Sequence, residues 1–459
     1  MSDEERELLQ AQGIVLSETM KSRAFLEQFL IYRTLTSPKR YLTVSYSLDT
    51  GGGSGRPSWL VRRIRTIFPR IPVAQGEPVA GFGLADLSCI PRTPERALSQ
   101  DIAVKLFYRQ ESPAVSISGM EKYMECPYRF FLEDGLQARP RAAYSVESFD
   151  TGSFLHLLLE YGTRQLLLTK ERHAVTREEC EAVIKRAVPE ALGVLGNLAL
   201  TGTARNRFLT GRLIRFAADS LYAAAGQCLN SAYLPGGFEV KFGYPGKASL
   251  PPVEIQRADG SRVYVKGKID RYDYWDWGDT RYFRIIDYKS SSHWLKPGEV
   301  FDGCKMQLVT YMDAVESALV QTGKKTECGG VFYFNIPSDR TKKPDYSLKG
   351  MVYNSPENIE AMAGESGEGG LSVRKSGISG CSQVPEGGFP FLKDRVRENI
   401  LGITEKLRQG KIPALPRQTG LQPPCKYCKF GGVCGFSGTV KKGEIKDDCQ
   451  VWDLKNKGI

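Results

Sequence analysis

A chain of 459 residues, 41% hydrophobic and 10% aromatic, is long enough for two or three domains with real cores and too apolar to stay unfolded. No stretch supplies the ~20 consecutive apolar residues of a membrane-spanning helix. The charged start Met1-Ser2-Asp3-Glu4-Glu5-Arg6-Glu7 lacks the apolar core of a secretory leader, so a cytoplasmic location and no membrane contact are expected. The balance of 63 basic against 52 acidic residues, +11, suits a polyanion partner without requiring one.

In chain order, residues 1–70 read as helical segments with one strand-like run, Tyr41-Leu42-Thr43-Val44-Ser45-Tyr46. Gly51–Pro57 reads as a loop. Residues 71–112, with Pro72, Pro78, Pro91 and Pro94, read as a connection carrying a short helix. Ser116–Gln137 is dense in aromatics and charge and reads as helix. Thr151–Thr169 is an amphipathic helix entered through Asp150-Thr151-Gly152-Ser153. Strands follow at Phe238–Tyr244, Val253–Ile255, Val263–Ile269 and Tyr282–Lys289, with Ala258-Asp259-Gly260 as a hairpin turn. Asp302–Leu319 reads as helix, Gly330–Phe334 as a buried strand, residues 354–388 as a surface excursion, and Phe391–Gln409 as helix before a cysteine-rich tail. No internal repeat is present. Gly246-Lys247-Ala248-Ser249 and Gly323-Lys324-Lys325-Thr326 lack Walker A spacing, so ATP hydrolysis by this chain alone is not expected.

The sharpest chemical signal is Phe283-Arg284-Ile285-Ile286-Asp287-Tyr288-Lys289. Strand alternation puts Phe283, Ile285, Asp287 and Lys289 on one face. An apolar strand that ends with a carboxylate and an ammonium on its inner face needs partners or a metal there. Seventeen residues earlier, Gly267-Lys268-Ile269-Asp270 ends a neighbouring strand with a second carboxylate. Two carboxylates on adjacent strands make a hard oxygen site suited to magnesium. By itself the Asp287–Lys289 pair reads as an ordinary ion pair. The helix over 151–169 adds His156, with Glu160 one turn on, either of which can reach a metal. Gln307-Leu308-Val309-Thr310-Tyr311 places Gln307 and Tyr311 on one helix face.

These spacings resemble the RecB-like branch of the PD-(D/E)XK nuclease superfamily. That branch pairs a helix histidine with Gly-x-x-Asp, Asp-x-Lys and a following Gln-x3-Tyr. The resemblance implies an α/β fold with a mixed sheet flanked by helices, and a metal-dependent DNA exonuclease. It implies magnesium (or manganese) on His156, Asp270, Asp287 and the backbone carbonyl of Tyr288. Lys289 would be catalytic together with the two aspartates, while Gln307 and Tyr311 would line the DNA side.

Eleven cysteines in a reducing compartment argue for ligands or buried thiols rather than disulfides. Cys425, Cys428 and Cys434 form Cys-x2-Cys-x5-Cys, a metal pattern that lacks a local fourth ligand. Cys449 would complete a zinc-ribbon-like set. Cys126, in Glu125-Cys126-Pro127-Tyr128-Arg129-Phe130-Phe131, would instead tie the front of the domain to its end. The second arrangement is similar to the iron–sulfur nucleases of the RecB-like branch, which implies a 4Fe–4S cluster on Cys126, Cys425, Cys428 and Cys434 closing the fold. Cys89, Cys180, Cys228, Cys304, Cys328 and Cys381 read as small buried residues.

Glu27–Leu42 resembles the last motif of UvrD-like helicases, with Ser37 where an active motor carries arginine. Together these features resemble the AddB family of AddAB helicase–nucleases, whose members are much longer. That resemblance implies a helicase remnant over 1–75, a connecting segment over 76–115 and a nuclease domain over 116–459. It implies action on a single strand at a duplex DNA end, in a heterodimer with an AddA-like helicase–nuclease subunit, for recombination and repair. A non-catalytic DNA-binding iron–sulfur module and a stand-alone RecB-like nuclease are the alternatives.

Overall fold

The structure, a computed structural model, describes residues 2–14, 19–46, 56–73, 96–109, 112–113, 116–139, 148–167, 174–196, 199–244, 250–320, 323–336, 344–364, 369–375, 377–418, 423–436, 440–443 and 445–458. It divides into two units, Met1–Arg92 and Thr93–Ile459. Cys89, His173, Gly246–Ser249 and the loop residues 51–55 lie outside the described residues. Among the described residues, no helix is long and apolar enough to cross a membrane.

The first unit contains α1 (Asp3–Ala11), α2 (Met20–Thr36) and α3 (Trp59–Ile67), none of which buries a residue. Each starts on a hydroxyl cap, Ser2, Thr19 or Ser58, as orphaned helix amides require. The expected strand Tyr41–Tyr46 is irregular chain, with Tyr41 92% exposed. High β-propensity without a paired strand to pack against does not make a strand.

The second unit is a mixed α/β layer. Its helices are α4 (Gln100–Phe107), α5 (Ile117–Glu125), α6 (Ser148–Leu166), α7 (Arg177–Leu195) and α8 (Ala204–Asn230) before the sheet. Interleaved with the strands come α9 (Gln307–Val320), α10 (Pro356–Ala363), α11 (Gly388–Arg408) and, in the tail, α12 (Asp448–Asn456). The strands are β1 (Leu234–Phe242), β2 (Val253–Gln256), β3 (Arg262–Val265), β4 (Gly267–Trp277), β5 (Thr280–Lys289), β6 (Lys325–Asn335), β7 (Lys349–Tyr353) and β8 (Cys381–Val384). The six-stranded sheet has the order β8-β7-β6-β5-β4-β1. β5 and β6 run parallel, as do β7 and β8, and the other neighbours are antiparallel.

Period-two alternation builds the two cores. Phe283 and Ile285 of β5 and Val331 and Tyr333 of β6 pack with α4, α5, α9 and α11. Ile286, Tyr288, Phe332 and Phe334 pack on the other face with α6, α7 and α8. On that second face Asp273, fully buried, accepts both Nε and Nη2 of Arg271 (2.7 and 2.6 Å) and Nε of Arg284 (2.9 Å). Arg271 also lies over Phe238, and Arg284 over Tyr233.

Several expected boundaries move for identifiable reasons. Ser116–Gln137 is not one helix. It breaks at Cys126, which is extended (φ −161°) because it precedes Pro127, and then continues as Pro127–Phe130 and a π-turn Phe131–Gly135. The helix expected from Thr151 starts at Ser148, so Asp150-Thr151-Gly152-Ser153 lies inside it. The run Val263–Ile269 divides at Lys266: β3 pairs with β2 in a separate hairpin, and β4 begins at Gly267. A Cβ on Gly267 would lie 2.7 Å from the Phe242 ring, so only glycine fits this crossing. Asp270 does not end a strand, since β4 continues to Trp277. The helix expected from Asp302 starts at Gln307, after a bend at Gly303 (φ +72°). Residues 354–388 are not a mere surface excursion. α10 buries Ala361 and Met362, and β8 is the edge strand of the main sheet.

Replacing Asp273 by alanine would leave two buried guanidiniums without their shared carboxylate. Breaking such a pair costs about 3–5 kcal/mol. Urea denaturation of the Asp273→Ala chain is expected to show that loss, against a much smaller one for Asp276→Ala, whose ion pairs with Arg281 and Lys324 are at the surface.

Candidate active site

Four elements converge where β1, β4 and β5 adjoin α6. The registers Arg271↔Ile286 and Phe238↔Arg271 carry Asp270 opposite Asp287 on one side and opposite Glu239 on the other. Here the alternation breaks. Ile269 and Val240 face one core, whereas Phe238 packs in the other and Arg271 bonds Cys228 there. Both strands thus change facing at Glu239 and Asp270. Glu239 marks the change with φ +51°, three residues beyond a β-bulge at Gly236.

His156 descends on α6, with Nδ1 3.5 Å from Asp270 Oδ2. The helix approaches closely because a Cβ on Gly152 would already lie 3.2 Å from Ser290 Oγ, next to Lys289. Ligand atoms of His156, Glu239 and Asp270 lie within 4.8 Å of one another. Asp270 Oδ2 also accepts the Tyr288 N–H at 2.9 Å, which locks β4 to the end of β5. Lys289 Nζ lies 2.5 Å from Asp287 Oδ2 and over the Tyr333 ring. Lys268 pairs with Glu239. Glu160 is turned to Arg164 (3.1 Å) and lies 3.9 Å from Lys268, outside the trio. Gln307 Nε2 donates to Tyr311 Oη at 2.7 Å, and Tyr311 is buried edge-on against Phe242.

Crowding sets the protonation pattern. Burial and the like charge of Asp287 push the Asp270 carboxyl well above the carboxylate range, against the pull of the Tyr288 amide. Burial and Asp270 push Glu239 up to about 7. Burial holds His156 below its ordinary value, leaving a neutral imidazole able to ligate. Burial disfavours the Lys289 ammonium, but Asp287, Asp270 and Glu121 outweigh it and keep the lysine charged. Buried oxygens Glu239 Oε2 and Asp287 Oδ2 have lysine ammoniums as ionic partners and accept no well-oriented hydrogen bond. An acidic oxygen-and-imidazole cluster of this kind fits a divalent cation.

Glu239 was missed by sequence reasoning, although Gly236-Gly237 just ahead of a strand carboxylate is a bulge signal. Glu121 was missed as well. Its Oε1 accepts the amides of Met306 (2.6 Å) and Gln307 (2.8 Å), far away in sequence.

The cysteine set forms a second site. Cys126, Cys425, Cys428 and Cys434 all line one cavity of about 60 Å³, with Tyr128, Arg129 and Phe430 around them. Cys126 reaches it from the break after α5, Cys425 from the 3-10 turn Pro424–Tyr427, and Cys434 from the short helix Gly431–Cys434. Burial raises the Cys126 thiol, and the neighbouring Cys434 and Cys425 sulfurs raise it further. Arg96 Nη2 donates to the Cys434 carbonyl at 2.7 Å. Cys449, exposed near the start of α12, does not line the cavity. Cys180, Cys228 and Cys328 are buried, whereas Cys304 and Cys381 are only partly so.

The sequence profile of the PD-(D/E)XK nuclease superfamily matches residues 114–435. The chain belongs to that superfamily. Curated relatives agree with the assignment. The B-subunit of the ATP-dependent helicase/deoxyribonuclease of Ruminiclostridium cellulolyticum is 28% identical over 99% of this chain and 46% of its own length. The proteins of the same name from Thermoanaerobacter sp. and Acetivibrio thermocellus are 27% and 28% identical over 100% and 99% of this chain. In each case the chain spans 46% of the relative's length.

Metal affinity follows from the raised carboxyls. Glu239 and Asp270 must lose protons to ligate, so affinity falls as pH drops through about 7. Calorimetric titration with Mn2+ is expected to show that dependence. Glu239→Gln lowers the affinity about tenfold or more, since ligand charge count tunes such sites. Glu160→Gln, outside the trio, leaves it within about twofold.

Proposed function

We propose that this chain is the nuclease-bearing part of an AddB-type subunit, cleaving DNA phosphodiesters as a magnesium- or manganese-dependent exonuclease. The observation that carries the reading is the convergence of His156, Asp270 and the Asp287–Lys289 pair at one point between α6, β4 and β5. His156, Asp270, Asp287 and the Tyr288 carbonyl hold the ion, and Glu239 is placed to join them. A bound divalent cation supplies Lewis-acid polarisation of the phosphate and an acidified water. The Lys289 ammonium, kept charged by its carboxylate neighbours, stabilises negative charge developing on the phosphate and orients the water. The Tyr288 amide holds Asp270 in position, so the ligands and Lys289 share one strand-end frame. Gln307 and Tyr311 line the DNA side.

The four cysteines around one cavity support a 4Fe–4S cluster on Cys126, Cys425, Cys428 and Cys434 over a zinc site that uses Cys449. Residues 1–75 are read as the remnant of a UvrD-like helicase domain, with 76–115 as the connection and 116–459 as the nuclease domain. The names of the relatives support a cytoplasmic heterodimer with an AddA-like helicase–nuclease subunit, acting on the single strand at a duplex DNA end for recombination and repair.

In a magnesium-dependent nuclease assay, Asp287→Ala and Lys289→Ala are each expected to lose on the order of a hundredfold or more in rate. Lys289→Ala keeps Mn2+ and DNA binding. A Lys289→Ala chain that is less stable but normally active would reduce the pair to a structural ion pair. A wild-type chain inactive even with a partner motor, ATP and a DNA end would favour the idle DNA-binding module.

Anaerobically purified protein is expected to be brown and to contain iron and sulfide, with both lost in Cys126→Ala and retained in Cys449→Ala. Stoichiometric zinc that depends on Cys449 and not on Cys126 would overturn the cluster.

A further inference from the structure

The helix that carries Gln307 has no cap of its own. The first turn of any helix leaves amides without intrahelical partners. The usual remedy is a Ser, Thr, Asp or Asn just before the helix. Here that position is Met306, fully buried, whose carbonyl accepts the Thr310 amide but whose side chain cannot accept from the turn. The missing acceptor comes from α5. Glu121 Oε1 takes the amides of both Met306 and Gln307. A carboxylate at a helix N-terminus also opposes the helix dipole.

Two further contacts fix α5 against the start of α9. The Gly303 turn packs at the Met124 side chain, where a Cβ on Gly303 would lie 3.4 Å from Met124 Cε. Tyr123 Oη donates to the Lys411 carbonyl at 2.8 Å. The same carboxylate faces the candidate active site. Glu121 is among the charges that hold the Lys289 ammonium and among those that disfavour ionising Tyr311 and Tyr333. Lys289 and Asp287 in turn act on Glu121. Glu121 therefore touches no reacting atom, yet it sits behind both the lysine and the first turn that presents Gln307.

We propose that Glu121 is a positioning residue for the nuclease reaction: it caps α9 from a remote helix and thereby sets Gln307 and Tyr311 against the Asp287–Lys289 pair. The proposal rests on the nuclease reading of that site. A shift of about 1 Å in a positioning element can cost a hundredfold in rate. A glutamine in place of Glu121 keeps a carbonyl oxygen for the two amides, whereas alanine removes the acceptor altogether.

The test uses the full chain, with hydrogen exchange and nuclease kinetics measured on the same preparations. In Glu121→Ala, exchange at the amides of Met306 and Gln307 is expected to rise at least about tenfold, with β5 unchanged. The turnover number falls about ten- to a hundredfold while KM stays within about threefold, the pattern of a misplaced rather than absent binding surface. Glu121→Gln recovers most of both. Unchanged exchange at 306–307 in Glu121→Ala overturns the proposal. So does raised exchange with normal turnover, or a glutamine variant as slow as the alanine variant. An active wild type with any of these results removes this proposal alone. A wild type inactive with partner motor, ATP and a DNA end removes the nuclease reading, and this proposal with it.

Discussion

Like charges gathered in a protein interior must be compensated, and the corner where β1, β4 and β5 meet α6 is organised by that requirement. Glu239, Asp270 and Asp287 occupy neighbouring strands with burial raising the cost of each charge. Lys268 answers Glu239, Lys289 answers Asp287, and the Tyr288 amide answers Asp270. The remaining excess of negative charge and the neutral imidazole of His156 leave a place that a divalent cation stabilises.

The opposite face of the same strands shows the reverse arrangement. Arg271 and Arg284 share one aspartate there, with aromatic rings over both guanidiniums. β4 and β5 thus carry buried carboxylates towards one core and buried guanidiniums towards the other. Charged groups this deep define one register closely, because a slip of one residue would bury each charge against the wrong partner. The change of facing at Glu239 and Asp270 is what allows one strand to serve both sets.

The cysteine cavity gives the domain a second kind of constraint. It joins the break after α5 to a tail some three hundred residues later, and Arg96 reaches the same tail from before α5. The tail is also tied at Asp302, which accepts the amide and Nζ of Lys446 just before α9. Both ends of the nuclease unit are therefore bound close to the helix that carries Gln307 and Tyr311.

The sequence alone determined the local chemistry. Strand alternation in Phe283–Lys289 placed Asp287 and Lys289 together, helical spacing placed Gln307 with Tyr311, and Cys-x2-Cys-x5-Cys declared a ligand set, because these groups lie within a few residues of one another. What needed the tertiary structure was every relation across long chain separations. Opposition of Asp270 to Asp287 came from strand register, and Glu239 was brought in by a bulge and a left-handed residue that alternation does not foresee. The choice of Cys126 over Cys449 beside the cavity was decided by folding across the domain. The start of α9 at Gln307 rather than Asp302 depended on a turn at Gly303 and a cap supplied by Glu121. Propensity and period act along the chain, whereas capping, register and charge compensation are satisfied by whichever groups the fold brings within hydrogen-bonding reach.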